Sequence, residues 1–309
     1  MPYFFNLNKK TRIFLFLVII GLVSFNISRT IIASLEDSKL YLAGLSFETL
    51  LISALFYLLF FYLRALSWNF LLKSLTSSQK LLENLPTWFL SELTRYIPGK
   101  VWPFLARGYA IKLQKISQKN IVFITFLDIG QLLIATFVLS LPFLLTQGIS
   151  LFFQTKYLLP LLITIVVVFL IAIVSIKGRF KGKINEILKF LTEIKLRKTF
   201  WLKALFTQFA SWIIFSFATY ILFRFSPTNH NIIVILSAIV TSWLVGYLSV
   251  ITPMGLGVRE GAMALFLSNF LPTGYAVVIP VVSRLLIVMV ELVNAILWLI
   301  YRRMKSSDN

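Results

Sequence analysis

The chain has 309 residues, 59% of them hydrophobic, with a mean hydropathy of +0.88 and a net charge of +19. Soluble globular domains are about half apolar, so a water-soluble fold is excluded, and apolar runs recur from residue 13 to residue 300 without a hydrophilic block large enough for a second domain. There is no cysteine and one histidine, His230, which excludes disulfide frameworks, thiolate metal sites and imidazole clusters; no metal or cofactor is expected, and a basic charge held in short connections argues for a membrane surface and against nucleic acid.

A span needs about 20 apolar residues to cross a hydrocarbon core of about 30 Å. The first run, 13–35, follows Lys9, Lys10 and Arg12, exceeds a signal-peptide core and lacks a small-residue cleavage site, so it reads as a retained span. Further spans are predicted at 46–72, 120–145, 157–176, 200–224, 231–251, 258–271 and 276–301, the seventh being too short. Residues 84–111 carry Glu92, Arg95, Lys100 and Arg107 and are cut by Pro98, Gly99 and Pro103, which predicts a re-entrant helix pair. Irregular backbone at membrane depth persists only inside protein or beside a water-filled cavity. The fold expected is an all-α polytopic bundle of about eight spans plus that pair, in one membrane domain, 1–309. Lys73, Lys80, Lys112, Lys115, Lys119, the run from Lys177 to Lys198, and Arg302, Arg303 and Lys305 all fall on the side of the amino terminus. The positive-inside rule then places both termini in the cytoplasm of a multi-pass protein of the bacterial inner membrane.

A second break lies in VITPMGLGVREGAMALF, residues 250–266, where Pro253, Gly255 and Gly257 precede Arg259 and Glu260. Pro98 and Pro253 are 155 residues apart, half the chain, and each precedes a basic residue. Paired Gly/Pro interruptions in two halves mark central sites of transporters. A two-fold repeat with halves 1–155 and 156–309 is therefore predicted, and four crossings between the breaks make it a parallel one.

Charges inside spans cost several kcal/mol, roughly, unless they face a protein interior and find partners. Arg95, Lys100, Arg107 and Arg259 are the candidate contacts to an anionic group, with Glu92 and Glu260 orienting them; helix amino-termini at the breaks add partial positive charge. Asp128 and Glu291 are candidate proton-linked groups, and Arg64 and Arg284 the remaining embedded cations. Simpler readings stand beside these. Arg64 snorkels to the interface, Glu92 and Arg95 form a structural i,i+3 pair, Asp128 bonds a neighbouring helix through Gln131, Arg107 joins an interfacial stripe with Lys112 and Lys115, Arg284 and Glu291 share one helix face, and Trp68, Trp88, Trp102 and Trp298 are interface anchors. No paired carboxylates at acid/base spacing, nucleophile elbow or phosphate-cradling GxxxxGK[ST] loop is present.

Three segments, LRALSWNFLLKSL (63–75), RYIPGKVWPFLARGYAI (95–111) and TPMGLGVREGAMALFL (252–267), resemble the lysylphosphatidylglycerol synthase transmembrane family, a group of flippase-like membrane proteins. Ser67 departs from that pattern, which often has Arg before the tryptophan. The resemblance implies the lipid-translocating membrane part without the cytosolic aminoacyl-transferase domain, since the chain ends at Asn309. The expected function is translocation of an anionic phospholipid or a polyprenyl-phosphate lipid through a central cationic site, with the membrane and envelope glycosyltransferases as partners and a homo-oligomer compatible. The alternatives are a membrane-embedded glycosyl- or aminoacyl-transferase acting on a lipid acceptor, and a non-catalytic scaffold of an envelope biosynthesis complex.

Overall fold

The computed structural model describes residues 35–75, 81–96, 102–112, 117–148, 196–223, 231–249 and 255–307. Every regular element among them is helical: α1 (Leu35–Ala43), α2 (Phe47–Leu75), α3 (Leu81–Leu93) with a 3-10 turn at Thr94–Tyr96, α4 (Trp102–Lys112), α5 (Gln118–Phe143) with a π turn at Leu144–Gly148, α6 (Lys198–Ile221), α7 (Ile232–Leu248), α8 (Val258–Leu267) and α9 (Thr273–Ser307). Apolar sequence without water to satisfy its backbone must fold this way, because only a helix pairs its N–H and C=O groups within one segment. Short polar caps set two of the starts. Ser117 accepts from the Asn120 N–H at 3.4 Å and Asn231 from the Ile233 N–H at 2.9 Å.

Among the described residues, four helices are long and apolar enough to cross a membrane, in α2, α5, α6 and α9. The predicted spans 13–35 and 157–176 lie outside the described residues. Residues 36–45, expected as a connection, instead hold α1, whose Tyr41 hydroxyl donates to the Leu222 carbonyl at 3.0 Å.

The predicted crossings 231–251 and 258–271 are corrected. They form α7 and α8, of 17 and 10 residues. At 1.5 Å per residue α8 reaches about 15 Å and α7 about 25 Å, both short of the hydrocarbon core. The two pack as a tight hairpin. Its turn depends on glycine: Gly255 and Gly257 have φ of 68° and 79°, a region that costs other residues. Gly246, near the end of α7, lies so close to α8 that a Cβ there would sit 2.6 Å from Cβ of Arg259. Residues 81–112 form the comparable hairpin of α3 and α4, of 13 and 11 residues.

The element order long helix, short hairpin, long helix thus occurs twice, as α2, α3–α4, α5 and as α6, α7–α8, α9. Corresponding helices α2 and α6 form the most extensive interface among the described elements. They run antiparallel: Arg197 N–H donates to the Ser74 carbonyl at 3.0 Å, Ser67 Oγ to the Ala204 carbonyl at 2.9 Å, and Ser53 Oγ to the Ala218 carbonyl at 2.8 Å. A pair of equivalent helices pointing in opposite directions relates the two sets by an inverted topology, not the parallel one counted from eight crossings. The difference follows from α7 and α8, which together make a hairpin where two crossings were counted. Contacts obey the same relation, since α3 packs on α9 and α7 packs on α5.

Candidate functional site

Residues of both hairpins and of the long helices line a cavity of about 120 Å³. From the first hairpin come Trp88, Glu92, Arg95, Phe104 and Arg107; from the second, Trp243, Tyr247 and Arg259; from the long helices, Arg64, Asp128, Phe215 and Arg284 among others. Lining positions recur at the 155-residue spacing, as Trp88 with Trp243, Glu92 with Tyr247, Phe104 with Arg259, Ile129 with Arg284 and Leu132 with Ile287. Equivalent backbone sites therefore carry different chemistry. Glu92 faces Tyr247 across the relation, and two arginines in the second half answer Phe104 and Ile129 in the first.

Eight predicted charges join one ion-pair cluster or stand beside it. Arg107, only 4% exposed, pairs with Asp128 at 3.1 Å and in close contact with Glu92. Its guanidinium is packed among Trp68, Trp88 and Phe104, 5.4–5.9 Å from each ring centroid. Arg95 pairs with Glu92 at 3.3 Å and in close contact with Glu291 of α9. Arg64 donates to Oε1 of Gln208 at 2.6 Å and lies 3.7 Å from Asp128. Arg284 stands 3.9 Å from Glu260.

Several simpler readings are overturned by this burial. Arg64 is 7% exposed and turned inward, so it does not snorkel. Arg107 faces this cluster and is no part of an interfacial stripe. Asp128 bonds arginines, while Gln131 donates to the Trp201 carbonyl at 3.3 Å. Arg284 and Glu291 both point inward but hold different partners. Trp68 and Trp88 are buried core residues rather than interface anchors. The i,i+3 pair of Glu92 and Arg95 exists, as one link in a larger cluster.

Arg259 is the exception. It opens α8, is 5% exposed, and lies over Phe215 at 5.1 Å. No carboxylate oxygen comes within 4.0 Å of it among the described residues, and its Nε and Nη2 have no hydrogen-bond partner there. Glu260, the acid beside it in sequence, turns back on its own helix, where Oε2 accepts from the Gly257 N–H at 2.8 Å. That is the acidic half of a capping box; Gly257 has no side chain to return it. Lys100, Pro98, Gly99 and Pro253 lie outside the described residues. Among those described, no group of three His, Asp or Glu side chains is placed to hold a metal.

The profile of the lysylphosphatidylglycerol synthase TM region matches residues 12–293. The chain belongs to this family. Among curated proteins, none matches it. A member of the lysylphosphatidylglycerol synthase TM region family is a multi-pass membrane protein linked to lipid handling, and the apolar outer faces of α2, α5, α6 and α9 agree with that setting. Sequence reasoning missed Gln208, Trp212, Phe215, Tyr247 and Gly246. Gln208 had a usable signal, being an amide in the middle of an apolar run; the aromatics looked like ordinary span residues.

Proposed function

We propose that this protein translocates an anionic lipid between leaflets of the bacterial inner membrane, holding the lipid phosphate at Arg259 in the cavity lined by both hairpins. The observation that carries the proposal is the buried guanidinium of Arg259 lining that cavity, with no carboxylate partner among the described residues and with Nε and Nη2 free of hydrogen bonds there. A cation taken out of water without a counter-charge is strongly disfavoured, and its retention is explained by a ligand that supplies the charge. Arg95 and Arg107 hold the first hairpin against α5 and α9 through their carboxylate pairs, and Arg284 extends the positive field toward Arg259. In this reading Glu92, Asp128 and Glu291 are anchors. Each is already engaged by arginine. The inverted arrangement of α2–α5 and α6–α9 supports alternating exposure of one central site, the behaviour such repeats serve in transporters. Both termini face the cytoplasm.

The test is transport in proteoliposomes. Translocation of fluorescent phosphatidylglycerol is followed by quenching of the outer leaflet with dithionite. Arg259→Gln is expected to slow it at least tenfold, about the loss of a charge-assisted contact, while Gly130→Ala retains the parent rate. An Arg259→Gln protein that transports at the parent rate would remove Arg259 from the site.

A further inference from the structure

The charges of the described residues around the cavity sum to one positive charge, and from this we infer that it selects the singly charged phosphodiester of a lipid over phosphomonoesters and diphosphates. The inference rests on the lipid reading above and narrows its substrate class. Among the described residues the cluster contains five arginines, Arg64, Arg95, Arg107, Arg259 and Arg284, and four carboxylates, Glu92, Asp128, Glu260 and Glu291. The balance is one positive charge. It resides on Arg259, because the other four arginines each have a carboxylate within 4.0 Å.

Arg259's free donors fix the geometry as well. Nε and Nη2 are the two nitrogens on one edge of the guanidinium, the edge that forms a bidentate pair with two oxygens of one anion. A phosphodiester has two non-bridging oxygens and one charge. The cavity-lining Trp88 and Trp212 add indole N–H groups with no partner among the described residues, and these donate only. A monoester or diphosphate brings a second charge that no free cation of the described cluster balances, in a site where surplus charge is poorly solvated.

Size points the same way. A cavity of about 150 Å³ takes one benzene, so about 120 Å³ admits a phosphate and its nearest ester carbons. Both ester arms, the acyl chains and the remainder of the head group, must leave the cavity in different directions, as the two substituents of a diester do.

The experiment measures binding to the full-length protein in a neutral maltoside detergent at pH 8.5. A phosphomonoester is then doubly ionised, its second pKa being near 6. The probes are dioleoyl phosphatidylglycerol, dioleoyl phosphatidic acid, farnesyl diphosphate and oleate, and dimethyl phosphate and inorganic phosphate serve as tail-free competitors. The expected result is at least tenfold tighter binding of phosphatidylglycerol than of the other three, displacement by dimethyl phosphate ahead of inorganic phosphate, and loss of this preference in Arg259→Gln. Arg259→Lys, which keeps the charge but not the fork, should retain part of the affinity. Equal or tighter binding of phosphatidic acid or farnesyl diphosphate overturns the charge match and leaves translocation at Arg259 standing. Tighter binding of oleate overturns the phosphate assignment, and absence of binding by every probe overturns the lipid reading together with this one.

Discussion

Replacing Gly246 with alanine tests whether the α7–α8 hairpin places Arg259. An added Cβ would lie 2.6 Å from Cβ of Arg259, 3.1 Å from its Cα and 3.4 Å from its backbone nitrogen. Ordinary carbon contacts begin at about 3.5 Å, so the helices must separate by about 1 Å at this point. No rotamer change relieves the clash, because two of the three nearest atoms are backbone and the third is fixed to it. Gly255 closes the other side, where its own ideal Cβ would stand 2.4 Å from the Gly246 carbonyl oxygen. Overpacking of this kind costs about 1–3 kcal/mol, and displacing a binding group by about 1 Å lowers turnover by up to about a hundredfold. Gly246→Ala should therefore lower the thermal midpoint in detergent by several degrees and reduce lipid translocation more than tenfold. Gly130→Ala and Gly261→Ala are the controls, since nothing lies within 4 Å of a Cβ at either position; as helix-interior substitutions they should be neutral or stabilising by about 0.5–1 kcal/mol. A Gly246→Ala protein that matches Gly130→Ala in both midpoint and transport would refute the close approach as the device that sets Arg259.

The remaining predictions concern the charges and the α2–α6 seam. Arg107→Ala leaves Glu92 and Asp128 each short of a buried counter-charge and should destabilise the protein by about 3–5 kcal/mol, read as loss of monodisperse protein on size exclusion; adding Asp128→Asn should restore part of it in a double-mutant cycle. Arg259→Met, in contrast, removes an unpartnered buried cation and should leave the thermal midpoint unchanged or higher while transport is lost, a stability gain at a functional position; a fall of more than a few degrees would mean Arg259 is structural. Ser67→Ala deletes one hydrogen bond from α2 to the Ala204 carbonyl and should cost about 0.6 kcal/mol, the usual worth of such bonds between membrane helices, measured by detergent denaturation.

Much of the architecture was legible as apolar length. The runs 46–72, 120–145, 200–224 and 276–301 each became one long helix, α2, α5, α6 and α9, because about 20 apolar residues with no internal water allow little else. The break at residues 98–99 likewise announced the hairpin of α3 and α4. Residues 231–271 were misread as two crossings because hydropathy reports composition along the chain and is blind to whether a segment turns back. The turn at Gly255 and Gly257 was visible, but its consequence, a hairpin too short to cross, needed the lengths of α7 and α8.

The charged residues divide in the same manner. Composition and span boundaries by themselves determined that Arg64, Glu92, Arg95, Arg107, Asp128, Arg259, Arg284 and Glu291 are embedded, since ionisable groups within apolar runs cannot be accidental at several kcal/mol, roughly, apiece. Their pairing was decided only by tertiary structure. Glu291 meets Arg95 from the far end of the chain, and Glu260 abandons its neighbour Arg259 for the Gly257 N–H. Coulomb energy depends on distance in space, and a one-dimensional sequence holds separations along the chain only. Which of the described embedded cations remains without a carboxylate partner, and hence where an anion is bound in the proposed function, emerged when both hairpins and the long helices were brought around one cavity.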